Sequence, residues 1–138
     1  MIADREQARD EMLSLVAAAV AAQEDVTVIY DDTSPQPPDG TSAWIRATIR
    51  HNTGTRRCLG PHGRHTQGGI LFVQIFTKPG DGQEDADELV TAMEAPFRGH
   101  STAGGVVFKD VYTREIGQSG LWFQNNMTVE FEYDLVGG

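Results

Sequence analysis

The segment from Leu121 to Leu135 alternates apolar and polar residues more regularly than any other part of the chain. Successive side chains of a β-strand point to opposite faces, so this alternation predicts a strand with one apolar face. The apolar set is Leu121, Phe123, Met127, Val129, Phe131, Tyr133 and Leu135. Such a strand requires a sheet that packs one face on a core. It is longer than most strands, and it is predicted to extend beyond its partners at one end.

The remaining periodic segments complete an α+β pattern. Residues Asp4 to Ala22 have helical periodicity, and Asp4 with Gln7 resembles a capping box. A second helix is predicted after Asp81, with a buried face of Leu89, Val90, Met93 and Phe97. Four more strands are predicted at Val26–Asp31, Ala43–His51, Ile70–Lys78 and Val106–Glu115. The order α-β-β-β-α-β-β predicts one domain over residues 1–138, with two helices packed on a mostly antiparallel five-stranded sheet.

Two strands carry unusual patterns. Ile70–Lys78 is apolar on both faces, which predicts a central strand covered on both sides. In Ala43–His51, the polar face combines Trp44 with Arg46, Thr48 and Arg50. A tryptophan among arginines is unusual on a monomer surface, so it is expected to be covered by the proline-rich segment before it or by a neighbouring subunit.

Basic residues are concentrated in and around a predicted mobile loop at 52–69. The chain has a net charge of −9, yet the stretch from Arg46 to His65 contains five arginines, three histidines and no acid. An acidic protein repels nucleic acid at long range, which argues against generic DNA wrapping. A basic strip on an acidic body favours head-to-tail docking between copies, or docking onto an acidic partner.

The single cysteine and the amino-terminal residues predict a soluble intracellular protein. One cysteine cannot form an internal disulfide, and Met1–Leu13 carries acids where a signal peptide would carry net positive charge. The longest apolar run is too short to span a bilayer.

The loop sequence CLGPHGRHTQGG does not meet the requirements of a catalytic or metal site. Cys58, His62 and His65 could ligate zinc, with His51 as a fourth ligand, but nearby arginines oppose a cation and no carboxylate offsets them. No helix start follows Cys58 to activate the thiol. The glycines precede a strand, whereas phosphate-binding glycines follow one and open a helix. No catalytic residue, cofactor or metal is therefore predicted.

Four stretches in series resemble the phage tail terminator (tail completion) proteins of siphovirus-type tails, prophages and gene transfer agents. They are PPDGTSAWIR, the basic loop running into Gly68-Gly69 and ILFVQIF, the segment from Pro79 to Gly99, and the segment from Gly117 to Tyr133. Together they span most of the chain, and their order matches the order of the predicted elements.

The resemblance implies a structural protein without enzymatic activity. Such proteins form a hexameric ring that caps the head-proximal end of the tail tube, stops its polymerisation and presents the surface that joins the head connector. The implied partners are further copies of the chain, which is monomeric in solution before assembly, the tail tube protein and the head connector or neck protein. The ring would contact DNA only as the DNA passes through the lumen of the ring. The protein would occupy the host cytoplasm during assembly and the virion tail afterwards.

The predicted subunit or partner interface combines the basic loop with the polar face of the second strand. It comprises Trp44, Arg46, Arg50, Arg56, Arg57, His62, Arg64 and His65. Three alternatives remain open at this point: a neck or head-closure protein, a protein that contacts DNA in a lumen, and a zinc-dependent enzyme built on Cys58, His62 and His65.

Overall fold

The computed structural model describes residues 2–23, 26–30, 43–56, 64–78, 83–119 and 122–136. The first element is helix α1, Arg5–Ala21. Its start is determined by Asp4, whose Oδ1 accepts a hydrogen bond from the backbone N–H of Gln7 at 2.8 Å. The Gln7 side chain in turn accepts the N–H of Ala3 at 2.9 Å. The predicted cap is therefore confirmed, and it satisfies donors that a helix start leaves unpaired.

The element order is the predicted one. After α1 come β1 Val26–Tyr30, β2 Ala43–Arg56, β3 Arg64–Thr77, α2 Gln83–Glu94, β4 Val107–Ser119 and β5 Trp122–Val136. The five strands form one sheet in the order β1-β2-β3-β5-β4. The α+β class, the two helices and the central position of β3 are confirmed.

The sheet is mixed, because β1 pairs with β2 in parallel while the other three pairings are antiparallel. The expectation of a mostly antiparallel sheet is thus confirmed only in part. Twelve residues, 31–42, separate the two parallel strands. A parallel pair needs a crossover of about a dozen residues, whereas a hairpin needs only a few. The length of this segment was therefore a signal for a parallel pair.

The boundaries of the predicted loop at 52–69 are wrong. Residues 52–56 belong to β2 and residues 64–69 to β3, and the two strands pair as far as Arg56 opposite His65. The register shifts between His51 and Thr53, as in a β-bulge. Residues 57–63 lie outside the described residues, so the mobility of the loop stays a prediction. These strand ends were not predicted because they are rich in polar residues and glycine, which have low strand propensity. Pairing with neighbouring strands stabilises these residues in the sheet despite that low propensity.

The β4–β5 hairpin also extends further than predicted. β4 continues to Ser119, and Gly117 lies opposite Gln124 next to a register shift, with φ of +98°, rather than in the connecting turn. β5 pairs with β3 as far as Val136 opposite Arg64, so it does not outrun β3. It does extend beyond β4, whose pairing stops at Val107 opposite Glu132.

Both helices contribute to one core on one face of the sheet. Leu71, Val73 and Ile75 of β3 are fully buried there, and α1 contributes Met12 and Val16. From α2 and the turn after it, Leu89, Met93 and Phe97 are buried as predicted, whereas Val90 is only partly buried. On the opposite face Phe76 is buried but Ile70 and Phe72 are half-buried, so the predicted cover on both sides of β3 is confirmed only near Phe76.

Neither helix of the described residues is long and apolar enough to cross a membrane.

Candidate assembly surface

The face of the sheet opposite the helices, called the open face below, combines polar, charged and apolar side chains. Residues directly opposite one another in neighbouring strands share a face, so the pairings define rows across the sheet. One row runs through Thr48, Phe72, Thr128 and Tyr112. The adjacent row runs through Arg46, Gln74, Asn126 and Arg114. Most of these side chains are half-buried or exposed, as expected where no described helix covers them.

Trp44 lies at one end of the open face in an aromatic cluster, and only 3% of it is exposed. Its ring stacks on Phe76 with centroids 4.0 Å apart, and Trp122 meets it edge-on at 6.3 Å. Ile29 of β1 completes the cluster. Stacked and edge-to-face pairs add to the stabilisation from burying apolar area. Trp44 is thus largely enclosed within the single chain, and its part in a subunit interface stays a prediction.

Arg46 and Arg50 both lie on the open face of β2. The guanidinium carbon of Arg46 lies 5.5 Å from the centroid of the Trp44 ring, a distance at which a cation is attracted to the ring face. Arg50 is exposed, and its Nη1 donates to the carbonyl of Ile49 at 3.3 Å. Trp44 and the two arginines therefore share one face as predicted, and Arg46 lies over the Trp44 ring within the chain.

Of the other predicted interface residues, Arg56, Arg64 and His65 are described, and they lie at the far end of the β2–β3 hairpin. Arg56 ends β2, Arg64 begins β3, and His65 is half-buried opposite Leu135 of β5. Arg57 and His62 lie outside the described residues, as does Cys58. The structure thus places Arg56, Arg64 and His65 together at one end of the sheet, away from the Trp44 cluster.

The search for metal-binding clusters covers the described parts of the chain. Within them, no group of three or more histidine, cysteine, aspartate or glutamate side chains could hold a metal ion. His51, proposed above as a fourth ligand, instead contacts Tyr133, with Nε2 and Oη 2.6 Å apart. Its ring also meets Phe131 edge-on at 5.3 Å.

Burial dominates the chemistry of the His51–Tyr133 pair. Burial lowers the pKa of His51 to about 4, with further contributions from the charges of Arg5 and Arg9. Burial also raises the pKa of Tyr133. Both groups are therefore neutral near pH 7, and the pair acts as a hydrogen-bonded part of the core. The hydrophobic pattern of β5 predicted that Tyr133 is buried, but no sequence signal indicated its histidine partner.

The exposed large hydrophobic side chains among the described residues lie on β4, a location that sequence reasoning missed. Val107 is 51% exposed, Tyr112 54% and Ile116 44%. β4 is an edge strand whose partner is β5. The pairing contains two register shifts, one between Phe108 and Val111 and the other between Glu115 and Gly117. The alternation of β4 indicated a strand but could not show that the strand forms an edge, because edge position depends on the order of all five strands.

Comparison with known proteins identifies the family. A solved structure, designated by a sequence identifier without a functional name, aligns at 17% identity and a TM-score of 0.65, covering 95% of this chain and 94% of that one. At this identity the likeness shows the fold alone. No curated protein matches the chain. A family model described as Phage tail terminator protein matches residues 10–129, which include most of α1, all of α2 and most of the sheet. The chain therefore belongs to the phage tail terminator family and is a structural component of a phage tail.

Proposed function

We propose that this protein forms a hexameric ring that caps the head-proximal end of a phage tail tube. The ring stops polymerisation of the tube and presents the surface that joins the head connector or neck protein. Membership of the tail terminator family over residues 10–129 is the observation that supports this function. Assembly takes place in the cytoplasm of the bacterial host, and DNA meets the ring only in passage through its lumen.

The fold suits a subunit that makes contacts on several sides. The helices and one face of the sheet form a core within the single chain, so a monomer can be stable before assembly. The open face and the edge strand β4 keep polar and apolar groups accessible for contacts with other subunits. Surfaces of this mixed composition are typical of protein interfaces.

The end of the β2–β3 hairpin is proposed as the arm that contacts the tube. Arg56 and Arg64 lie where this hairpin leaves the sheet, and Arg57 lies between them in the sequence. In this proposal the three arginines meet acidic groups of the neighbouring ring and order the arm on contact. A single exposed ion pair contributes only about 0–1 kcal/mol, so the contact depends on repetition around the ring.

The proposed function is tested by measuring the mass of the protein in solution with light scattering, alone and with tail tube subunits. We expect a monomer alone, and a ring-sized species together with arrest of tube growth when tube subunits are present. A protein that stays monomeric and leaves tube growth unchanged contradicts the terminator role. A protein that joins preformed tails to heads without affecting tube length would instead be a neck or head-closure protein.

The arm is tested separately with the triple variant Arg56→Ala, Arg57→Ala, Arg64→Ala. We expect loss of tube capping with unchanged folding, and weaker capping of the wild type as salt rises. The matched control is Arg9→Ala, Lys78→Ala, Arg98→Ala, which removes the same charge from exposed positions elsewhere. Equal capping by the triple variant and the wild type would show that the arm has no part in tube contact.

A further inference from the structure

The two edge strands of the sheet are complementary in chemistry. β4 carries the three exposed large hydrophobic residues named above, all on one edge of the molecule. β1, at the opposite edge, has the sequence VTVIY and contains no charged residue and no proline. Its pairing with β2 runs through five consecutive residues without a register shift. Soluble proteins usually protect such edges with charges, proline or bulges, because an uncharged regular edge pairs readily with another strand.

The regular parts of the two edges have the same length. Between its two register shifts, β4 pairs with β5 regularly from Val111 to Glu115, which is five residues. β1 also has five residues, from Val26 to Tyr30. The shifts would interrupt any longer ladder on β4, so this central stretch is the part best suited to accept another strand.

Strand direction also matches. β1 is parallel to β2, and each step from β2 through β3 and β5 to β4 reverses direction. Three reversals make β4 antiparallel to β1. A second copy placed beside the first, by rotation about an axis along the strands, therefore brings its β4 next to β1 in antiparallel orientation. Its helices would remain on the same side of the extended sheet.

We propose that β4 of one copy pairs with β1 of the next copy in antiparallel orientation and extends the sheet across the subunit boundary. The inference rests on the proposed ring function and specifies its subunit contact. In the centred register, Thr27 lies opposite Arg114 and Ile29 opposite Tyr112 on the open face, while Val28 lies opposite Thr113 on the helix face. This register places no like charges opposite each other and brings the exposed ring of Tyr112 next to Ile29, at the margin of the Trp44 cluster.

The contact is head-to-tail, because each copy offers β4 to one neighbour and β1 to the other. Such heterologous contacts generate rings when the rotation closes, whereas an isologous contact stops at a dimer. A second copy is favoured over an unrelated strand because both edges belong to the same chain and match in direction and in the length of their regular stretches.

Cysteine cross-linking tests the pairing directly. In a Cys58→Ser background, Thr27→Cys and Arg114→Cys place thiols at exposed positions that the register makes opposite neighbours. Paired residues of antiparallel strands have Cα atoms about 4.5–5.5 Å apart, within the range for a disulfide. The measurement is non-reducing electrophoresis after mild oxidation at high protein concentration, and again with tail tube subunits added.

The expected result distinguishes a head-to-tail contact from a symmetric one. Mixing the two single variants should give cross-linked dimers, neither variant alone should, and the double variant should give a ladder of multimers. The control mixture pairs Thr27→Cys with Ser14→Cys, an exposed position on α1 outside the proposed contact. Cross-linked dimers from either single variant alone would overturn the proposal. It would also be overturned if, with and without tail tube subunits, the mixture gave no more cross-linked product than the control mixture.

A charge on the proposed strand provides an independent test. Tyr112→Lys should weaken self-association at least about tenfold, because an edge lysine opposes strand pairing. Val107→Lys is the matched control, since Val107 is similarly exposed on the same strand but lies outside the stretch from Val111 to Glu115. Sedimentation velocity at high protein concentration, and again with tail tube subunits added, compares the self-association of both variants with that of the wild type. Equal weakening by the two variants would contradict pairing through the central stretch.

The two proposals fail in different ways. If wild-type protein arrests tube growth but no mixed cross-link forms, the edge contact is wrong and the terminator function is unaffected. If the mixed cross-link and the ladder form but tube growth continues, the edge contact is supported and the capping function is wrong.

Discussion

The two faces of the sheet are built from the same strands but are packed to different extents. On the helix face, Leu71, Val73 and Ile75 of β3 are fully buried under α1 and α2. On the open face, Ile70 and Phe72 of the same strand remain half-buried, whereas the cluster around Trp44 approaches core packing. One face therefore stabilises the monomer, whereas the other retains surface for contacts in an assembly.

The largest effect is expected at the densely packed cluster around Trp44 on the open face. Trp44→Ala should reduce the free energy of unfolding by about 3–5 kcal/mol, because it removes a buried ring stacked on Phe76. Urea unfolding followed by far-ultraviolet circular dichroism measures the change. Trp122→Ala, at the half-buried margin of the cluster, is the control and should cost about half as much. A loss below about 1 kcal/mol for Trp44→Ala would mean that the open face contributes little to the monomer.

Two adjacent residues of β3 compare the faces directly. Leu71→Ala should reduce the free energy of unfolding by about 2–5 kcal/mol, since Leu71 is fully buried under the helices. Ile70→Ala removes a side chain of similar size from the open face and should reduce it by about 1–2 kcal/mol. Both are measured by urea unfolding. Equal losses would contradict the difference in packing described above.

The helix face should also make stability depend on pH through His51. Its pKa is about 4 in the folded chain, against 6.5 as the ordinary value. Between these values the unfolded chain binds more protons, so stability falls as the pH is lowered from about 6.5 to 4. The expected loss from this group is about 1–3 kcal/mol, measured by urea unfolding at several pH values.

His51→Gln is the matched variant for this test, because glutamine can still hydrogen-bond to Tyr133 but does not titrate. The variant should lose stability less steeply than the wild type over this pH range. Parallel curves for the two proteins would show that His51 does not cause the pH dependence.

The smallest effect is expected at the margin of the helix face, where Glu11 of α1 binds the segment before β4. Glu11 accepts hydrogen bonds from Gln7 at 2.8 Å and from the backbone N–H of Gly104 at 3.0 Å. Hydrogen bonding, from Thr102 above all, lowers the pKa of Glu11 below its ordinary 4.5. Glu11→Gln should reduce the free energy of unfolding by about 1 kcal/mol near pH 7.

The sign of the pH dependence checks the same contact. Because the folded pKa of Glu11 is lowered, its contribution is present above about pH 4.5 and is lost as the pH falls through the folded value. The difference between wild type and Glu11→Gln should therefore shrink towards pH 3 in thermal unfolding experiments. A difference that stays constant with pH would show that the charge of Glu11 is not the cause.

Much of the fold could be predicted because local patterns report local structure. The cap at Asp4 and the alternation of β5 identified their elements correctly, since each depends on neighbouring residues. Strand ends at 52–56 and 64–69 were missed because polar residues there are held by pairing with other strands. For the candidate surface, sequence identified Trp44, Arg46 and Arg50 on one face, but not the exposed side chains of β4.

By itself the sequence determined the α+β class, the order of elements, the central position of β3 and the resemblance to tail terminators. These follow from periodicity, capping and motif order, which are properties of short segments. Only the tertiary structure decided that β1 joins in parallel, that His51 contacts Tyr133, and that β1 and β4 form the two edges. Each of these depends on contacts between residues far apart in the chain, and edge position in particular exists only once all five strands are assembled.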